Sequence, residues 1–287
     1  MAGGKEIKGK IKSIENTRKV TSALEMVSAS KIKKSQDLMR ATRPYARMIR
    51  KIMSHLGRAN PEYRHPFTIR REKVSKVSYI IISTDRGQCG GLNSNLFKLA
   101  IAHAGQWQGT ETKISLVTLG KKATAYFRNF PVEISASESG FGDRPQIAKL
   151  IGAIKVVLDA YRNGSVDRVY LVYNDFINTM AQRPVLDQLL PLPESEEEQI
   201  PEIWDYIYEP DAEKLLDTVL VRYIEAQVYQ AVLENLASEH AARMVAMKNA
   251  TENAVELIGE LKLAYNKARQ AAITQEISEI VAGAAAV

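Results

Sequence analysis

The 287-residue chain is 45% hydrophobic and has a single cysteine, Cys89, so a real core is possible while an internal disulfide framework and a cysteine-built zinc cluster are excluded. No run approaches the roughly 20 apolar residues of a transmembrane helix, and the start MAGGKEIKGK lacks a signal-peptide core, so for any work at a membrane something else is expected to hold the chain there. The net charge of +6 is uneven: the first 76 residues hold 20 Lys and Arg against 6 Asp and Glu, which suits acidic partners, yet the arm lacks the interleaved aromatics of a nucleic-acid binder.

In chain order, Lys5 to Arg43 contains no proline and places Ile7, Ile11, Ile14, Val20, Leu24 and Val27 at helical spacing. Pro44 is expected to bend or interrupt this helix, which resumes through Tyr45, Met48, Ile52 and Leu56 and ends near Gly57. Residues 1–58 are therefore one helical arm, and the charged, Pro61- and Pro66-containing stretch 59–76 reads as a linker.

Residues 77–192 alternate strand and helix signals. Val77 to Ser83, Lys113 to Leu119, the weaker Pro131 to Ser135 and Val166 to Tyr173 read as strands, separated by helices over Asn93 to His103, Lys121 to Phe130 and Pro145 to Tyr161. Helical crossovers of this length imply a mainly parallel sheet, an open Rossmann-like α/β domain, with Pro184 to Leu192 as an edge strand. Residues 193–210 combine an acidic loop, Glu194 and Glu196 to Glu198, with the aromatic run WDYIYEP.

Asp211 to Val287 has no proline and only Gly259 and Gly283. Leu216, Val219, Tyr223, Ala226, Gln230, Leu233, Ala237, His240, Met244, Met247, Thr251, Ala254, Ile258, Leu261, Tyr265, Ala268 and Ala272 recur with heptad spacing. An unbroken helix here would be about 110 Å long. Its seam is too rich in small and polar residues to bury much area by itself, so it needs a partner. The basic N-terminal helix is the nearest one, because residues 211–287 hold 7 Lys and Arg against 11 Asp and Glu.

The turn STDRGQCGGLN, residues 83–93, follows a strand and opens a helix, where a phosphate would bind. Its spacing fits neither GxGxxG nor GxxxxGK[ST], and no lysine follows the last glycine, so a structural turn with Gly87, Gly90 and Gly91 at positive φ is the better reading. Cys89 would need an exposed site and a neighbouring histidine to act as a nucleophile, and His55, His65, His103 and His240 lie outside recognisable motifs. Asp85 and Glu209 form no evident acid/base pair. On these residues alone two classes stay open, a nucleotide-binding Rossmann-like enzyme and a coiled-coil scaffold.

The last residues, ARQAAITQEISEIVAGAAA, pair hydrogen-bonding side chains with the apolar Ile273, Ile277, Ile280 and Val281. Together with IKSIENTRKVTSALEMVSASKIKKSQ near the start, the turn STDRGQCGGLN, FINTMAQRPVLDQLLPLP and WDYIYEPD, they resemble the gamma subunit of the bacterial F-type ATP synthase over essentially the whole chain.

The resemblance implies a long antiparallel coiled coil of the two terminal helices plus the central Rossmann-like domain, with no catalytic residue, cofactor or metal of its own. It implies a central rotor that couples rotation of the membrane c ring to the catalytic beta subunits, regulates ATPase activity and proton flow, and is held peripherally on the cytoplasmic side of the bacterial inner membrane. Its implied partners are the alpha and beta subunits, epsilon and the c ring. Leu24, Glu25, Met26, Arg269, Gln270, Thr274 and Glu276 match family contacts with beta, and Arg18, Lys19, Lys31, Lys33 and Lys34 supply charge around the first three. Tyr206, Tyr208 and Glu209 match the foot that meets epsilon and the c ring.

Overall fold

The computed structural model describes residues 2–59, 65–192 and 212–285. Two long helices bound the chain, α1 over Ala2–Ala59 and α5 over Ala212–Ala285. Between them run β1 (Lys76–Ile82), α2 (Leu92–Ala104), β2 (Lys113–Leu119), α3 (Lys121–Phe127), β3 (Glu133–Glu138), α4 (Ile147–Arg162), β4 (Arg168–Phe176) and β5 (Gln182–Leu190). Two compact units result, one of Met1–Ala29 with Arg243–Val287 and one of Ser30–Ala242.

In the larger unit the five strands lie in the order β3-β2-β1-β4-β5, with β1 to β4 parallel and β5 antiparallel on the edge. The central strand KVSYIII reads as a continuous apolar run because it is covered on both faces. Ile80 and Ile82 point into one core, where Leu150, Ile154 and Val157 of α4 meet Leu220, Ile224, Val228 and Val232 of α5. Val77, Tyr79 and Ile81 point into the other, against Leu96 and Phe97 of α2 and Phe127 of α3. This first stretch of α5 is thus a structural helix of the α/β sandwich, which explains why it is apolar over more than one stripe.

The stretch expected to be a linker contributes to that core as well. A short 3-10 turn at Pro66–Thr68 sinks Phe67 to zero exposure, and Leu192 N–H donates to its carbonyl at 2.9 Å. Pro44 does not interrupt α1. It is exposed, as is Arg40 one turn earlier, so the carbonyl that loses its helical donor can turn to water.

Along α1 a ladder of half-buried or buried positions runs through Ile7, Ile11, Ile14, Arg18, Thr21, Glu25, Ser28, Ile32, Ser35, Met39 and Thr42 in alternating steps of four and three, with Glu15, Ser22, Leu24, Lys31, Gln36 and Leu38 half-buried beside it. In the smaller unit α5 continues the same rhythm through Met247, Thr251, Ala254, Ile258, Leu261, Tyr265, Ala268 and Ala272. That is the 3.5-residue period of a left-handed coiled coil. Thr21 is hydrogen-bonded to Thr251 at 2.7 Å, and within the larger unit Thr42 donates to Gln230 at 2.8 Å. Each contact joins α1 to α5 within its own unit.

From Met247 to Ala272 the α5 seam expected from spacing is the observed one, whereas between Leu220 and Arg243 nearly all of α5 is at least half-buried; the α1 seam departs from its expected apolar residues after Ile14. Val20 and Val27 are 58% and 51% exposed, and Thr21 and Ser28 take the inward places. A strict seven-residue step decides which residues face the partner, and at one of its two positions, Thr21, Ser28, Ser35 and Thr42, it selects small polar ones that allow close approach.

Candidate functional site

The carboxyl ends of β1 and β4 flank the switch point of the sheet, where open α/β folds bind ligands. The turn at residues 83–91 that follows β1 spends its polar groups on the protein. Asn93 accepts from Thr84 N–H at 3.2 Å and donates to Thr84 Oγ1 at 2.7 Å. The Asp85 carboxylate accepts from the backbone of Lys121 at 3.1 Å and of Gly140 at 2.8 Å, joining the loops that leave β1, β2 and β3.

Of the three glycines expected at positive φ only Gly90 has it, at 57°; Gly91 sits at −83° as the cap of α2, and the left-handed place before Cys89 is taken by Gln88 at 64°. Cys89 is 3% exposed and accepts a hydrogen bond from Asn93 at 3.4 Å, so it is not an exposed thiolate.

What closes the crevice is α5. Val232, Asn235, Leu236 and Glu239 lie over Ser83 and Asp85 and leave about 30 Å³, room for one or two waters where a nucleotide pocket needs several hundred Å³. The helix that a Rossmann-like enzyme would keep clear of its switch point is here packed across it.

His65 and His103 serve structure. His65 accepts the Phe67 N–H at Nδ1, which leaves its Nε2 to donate toward Asp217 at 3.2 Å. Trp107 donates to the Tyr79 hydroxyl at 3.0 Å, and that hydroxyl lies 2.9 Å from His103 Nδ1. Burial lowers the His103 pKa and raises the Tyr79 pKa to about 12.

The other candidate surface lies on the helical ends. In the smaller unit Leu24 and Glu25 are half-buried, Glu25 falling on the inward ladder, while Met26 is 66% exposed. Arg269, Gln270, Thr274 and Glu276 are all exposed. From Ile273 to Ala284 every residue is exposed, including Ile277, Ile280 and Val281. At about 100° per residue those four share one stripe, turned away from the Tyr265, Ala268 and Ala272 seam. Tyr206, Tyr208 and Glu209 lie outside the described residues. No described helix is long and apolar enough to cross a membrane, and no described cluster of His, Cys, Asp or Glu could hold a metal.

Sequence reasoning named Asp85 without its role between loops, and missed Asp143 and the polar seam residues Thr21 and Ser35. The seam carried a readable signal, a seven-residue repeat of small polar side chains; the two aspartates carried none, because their partners come from distant loops.

A filled switch point, two long paired helices and an uncovered apolar helix end define an interaction subunit built on a Rossmann-like body. The family described as ATP synthase matches residues 3–287. The ATP synthase gamma chain of Xanthomonas oryzae is 60% identical over 287 residues, all of both chains, and that of Stenotrophomonas maltophilia 58% identical over the same span. Two solved structures of the Euglena gracilis mitochondrial ATP synthase share the fold: a rotor chain with a TM-score of 0.65 at 22% identity, covering 95% of this chain and 99% of that one, and a chain of the OSCP/F1/c-ring assembly with 0.70 at 20%, covering 99% and 94%. The chain belongs to the ATP synthase gamma-chain family. It is a subunit of an ATP synthase and not itself an enzyme.

Proposed function

We propose that the chain is the central rotor of a proton-driven F-type ATP synthase, turning inside the alpha and beta subunits while epsilon and the c ring hold its foot. The observation that carries this reading is the end of α5, where Ile273, Ile277, Ile280 and Val281 are 47% to 72% exposed on a helix that its own chain no longer covers. Arg269, Gln270, Thr274 and Glu276 offer hydrogen bonds beside that stripe, and Leu24, Glu25 and Met26 offer a second contact on α1. An asymmetric helical pair meets three identical beta subunits differently, so each is biased toward another conformation and nucleotide affinity, and rotation passes those states around the ring. Exposed polar contacts of about 0.2–1 kcal/mol each guide such a rotor without locking it.

On this reading Tyr206, Tyr208 and Glu209 belong to the foot, and the chain sits peripherally on the cytoplasmic side of a bacterial membrane through its complex. Residues 1–58 and 211–287 form the coiled-coil arms, 59–76 the connection, 77–192 the head and 193–210 the foot segment. Arg269→Leu and Gln270→Leu should each lower ATP synthesis and assembly in the reconstituted complex, while removal of the last few alanines costs less. Undiminished synthesis in both substitutions would sink the contact assignment. Recovery of the chain with alpha and beta subunits, and loss of coupled ATPase without it, tests the rotor role itself.

A further inference from the structure

The sequence groups Lys31, Lys33 and Lys34 as basic charge around Leu24, Glu25 and Met26. The structure separates them. Lys33 and Lys34 are exposed, whereas the Lys31 ammonium lies 2.9 Å and 2.8 Å from the two carboxylate oxygens of Asp143. Asp143 sits in the loop between β3 and α4, and that loop is tied down on both sides. Gly140 N–H donates to Asp85 at 2.8 Å, Phe141 packs against the sheet core, and the Pro145 carbonyl accepts from Tyr229 of α5 at 3.1 Å. His240 Nε2 of α5 lies 3.7 Å from the same carboxylate. One fixed carboxylate therefore meets both long helices within the larger unit, at residues 31 and 240.

We infer that Asp143 and Lys31 are a positioning pair that sets the rotation of α1 about its axis against the α/β body, and that this setting keeps the rotor helices in register under load. The second half rests on the rotor reading above. The need for such a pair follows from the seam. On α1 in this unit the buried Ile32 and Met39 alternate with the small polar Ser35 and Thr42, so apolar contact holds α1 against its neighbours while the small positions leave its rotation loosely specified, and polar contacts fix it. Lys31 and Asp143 are 32% and 55% exposed, a setting in which an ion pair adds little to global stability. Its effect is on where α1 sits.

The test uses Asp143→Asn, Lys31→Met and the exchange Lys31→Asp with Asp143→Lys, read in two ways. Amide hydrogen exchange across residues 30–37 in the full chain should rise about two- to fivefold in both single variants, the range expected for loss of a partly exposed pair. In the complex reconstituted into vesicles, Asp143→Asn should leave ATP hydrolysis unchanged while ion uptake per ATP hydrolysed falls, and the exchange of charges should restore both readouts. Unchanged amide exchange in the single variants, or an exchanged pair as defective as either single, overturns the positioning role. Faster exchange with unchanged coupling overturns its role under load. A complex that still couples when this chain is omitted overturns the rotor reading alone, since the amide measurement does not depend on it.

Discussion

The Thr21 and Thr251 hydroxyls meet at 2.7 Å in the seam between α1 and α5 of the smaller unit. Each is also within reach of its own helix, Thr21 to the Arg18 carbonyl at 3.0 Å and Thr251 to the Met247 carbonyl at 2.8 Å. A hydroxyl has one proton, so one threonine donates across the seam and the other donates back to its helix. Replacing either alone by Val leaves the other with a poorly partnered oxygen and should cost about 1 kcal/mol, while the double variant should recover most of that loss. Urea unfolding of the four proteins measures the coupling; strictly additive losses would show that the two hydroxyls act independently.

Gly120, between β2 and α3, has φ of 106°, and a Cβ built there would lie 2.3 Å from the Ser83 carbonyl oxygen. That oxygen belongs to backbone held by the Ser83 N–H to Leu119 bond at 2.7 Å, so it cannot move aside cheaply. Gly120→Ala should destabilise the chain by about 3 kcal/mol or more, visible as a large fall in Tm. Gly152, where a Cβ would meet nothing within 4 Å, provides the control: Gly152→Ala should leave Tm unchanged or raise it.

Asp167 joins the start of β1 to the chain before β4. Burial by itself would push its pKa up, but the backbone N–H groups of Ser75 and Lys76 and the Arg71 guanidinium outweigh that and hold it below the usual carboxylate value. A depressed folded pKa gives stability that is complete above the unfolded value, about 3.9, and is lost as pH falls through the folded one. Acid unfolding of the wild type should draw on this loss, and Asp167→Asn should be less stable at pH 7 yet less sensitive to pH below about 4. Parallel pH dependences in the two proteins would remove Asp167 from the account of acid unfolding.

Calorimetry of the full chain with ATP should give no binding at micromolar levels, since α5 leaves about 30 Å³ at the switch point. A micromolar Kd would mean that α5 moves away from Ser83 and Asp85.

The element order, the mainly parallel sheet and the heptad ladder from Met247 to Ala272 were legible in the sequence because each rests on a local period or a local composition. Strand Lys113 to Leu119 was delimited to the residue, since glycine and charge bound it on both sides. The residues proposed as contacts at the end of α5 were named from a linear motif alone. Nothing local indicated that Val20 and Val27 would face outward, because an apolar residue one place from a heptad position fits a helical face as well as the seam does. That choice falls to the partner helix.

By itself the sequence determined two long helices around an α/β body and a β1 turn unfit for phosphate, because periodicity and glycine spacing are properties of neighbours along the chain. Tertiary structure decided what fills the switch point, that Lys31 turns to Asp143, and that small polar residues rather than Val20 and Val27 make the α1 seam. Each of those depends on residues brought together from distant parts of the chain, where packing, and not propensity, selects the partner.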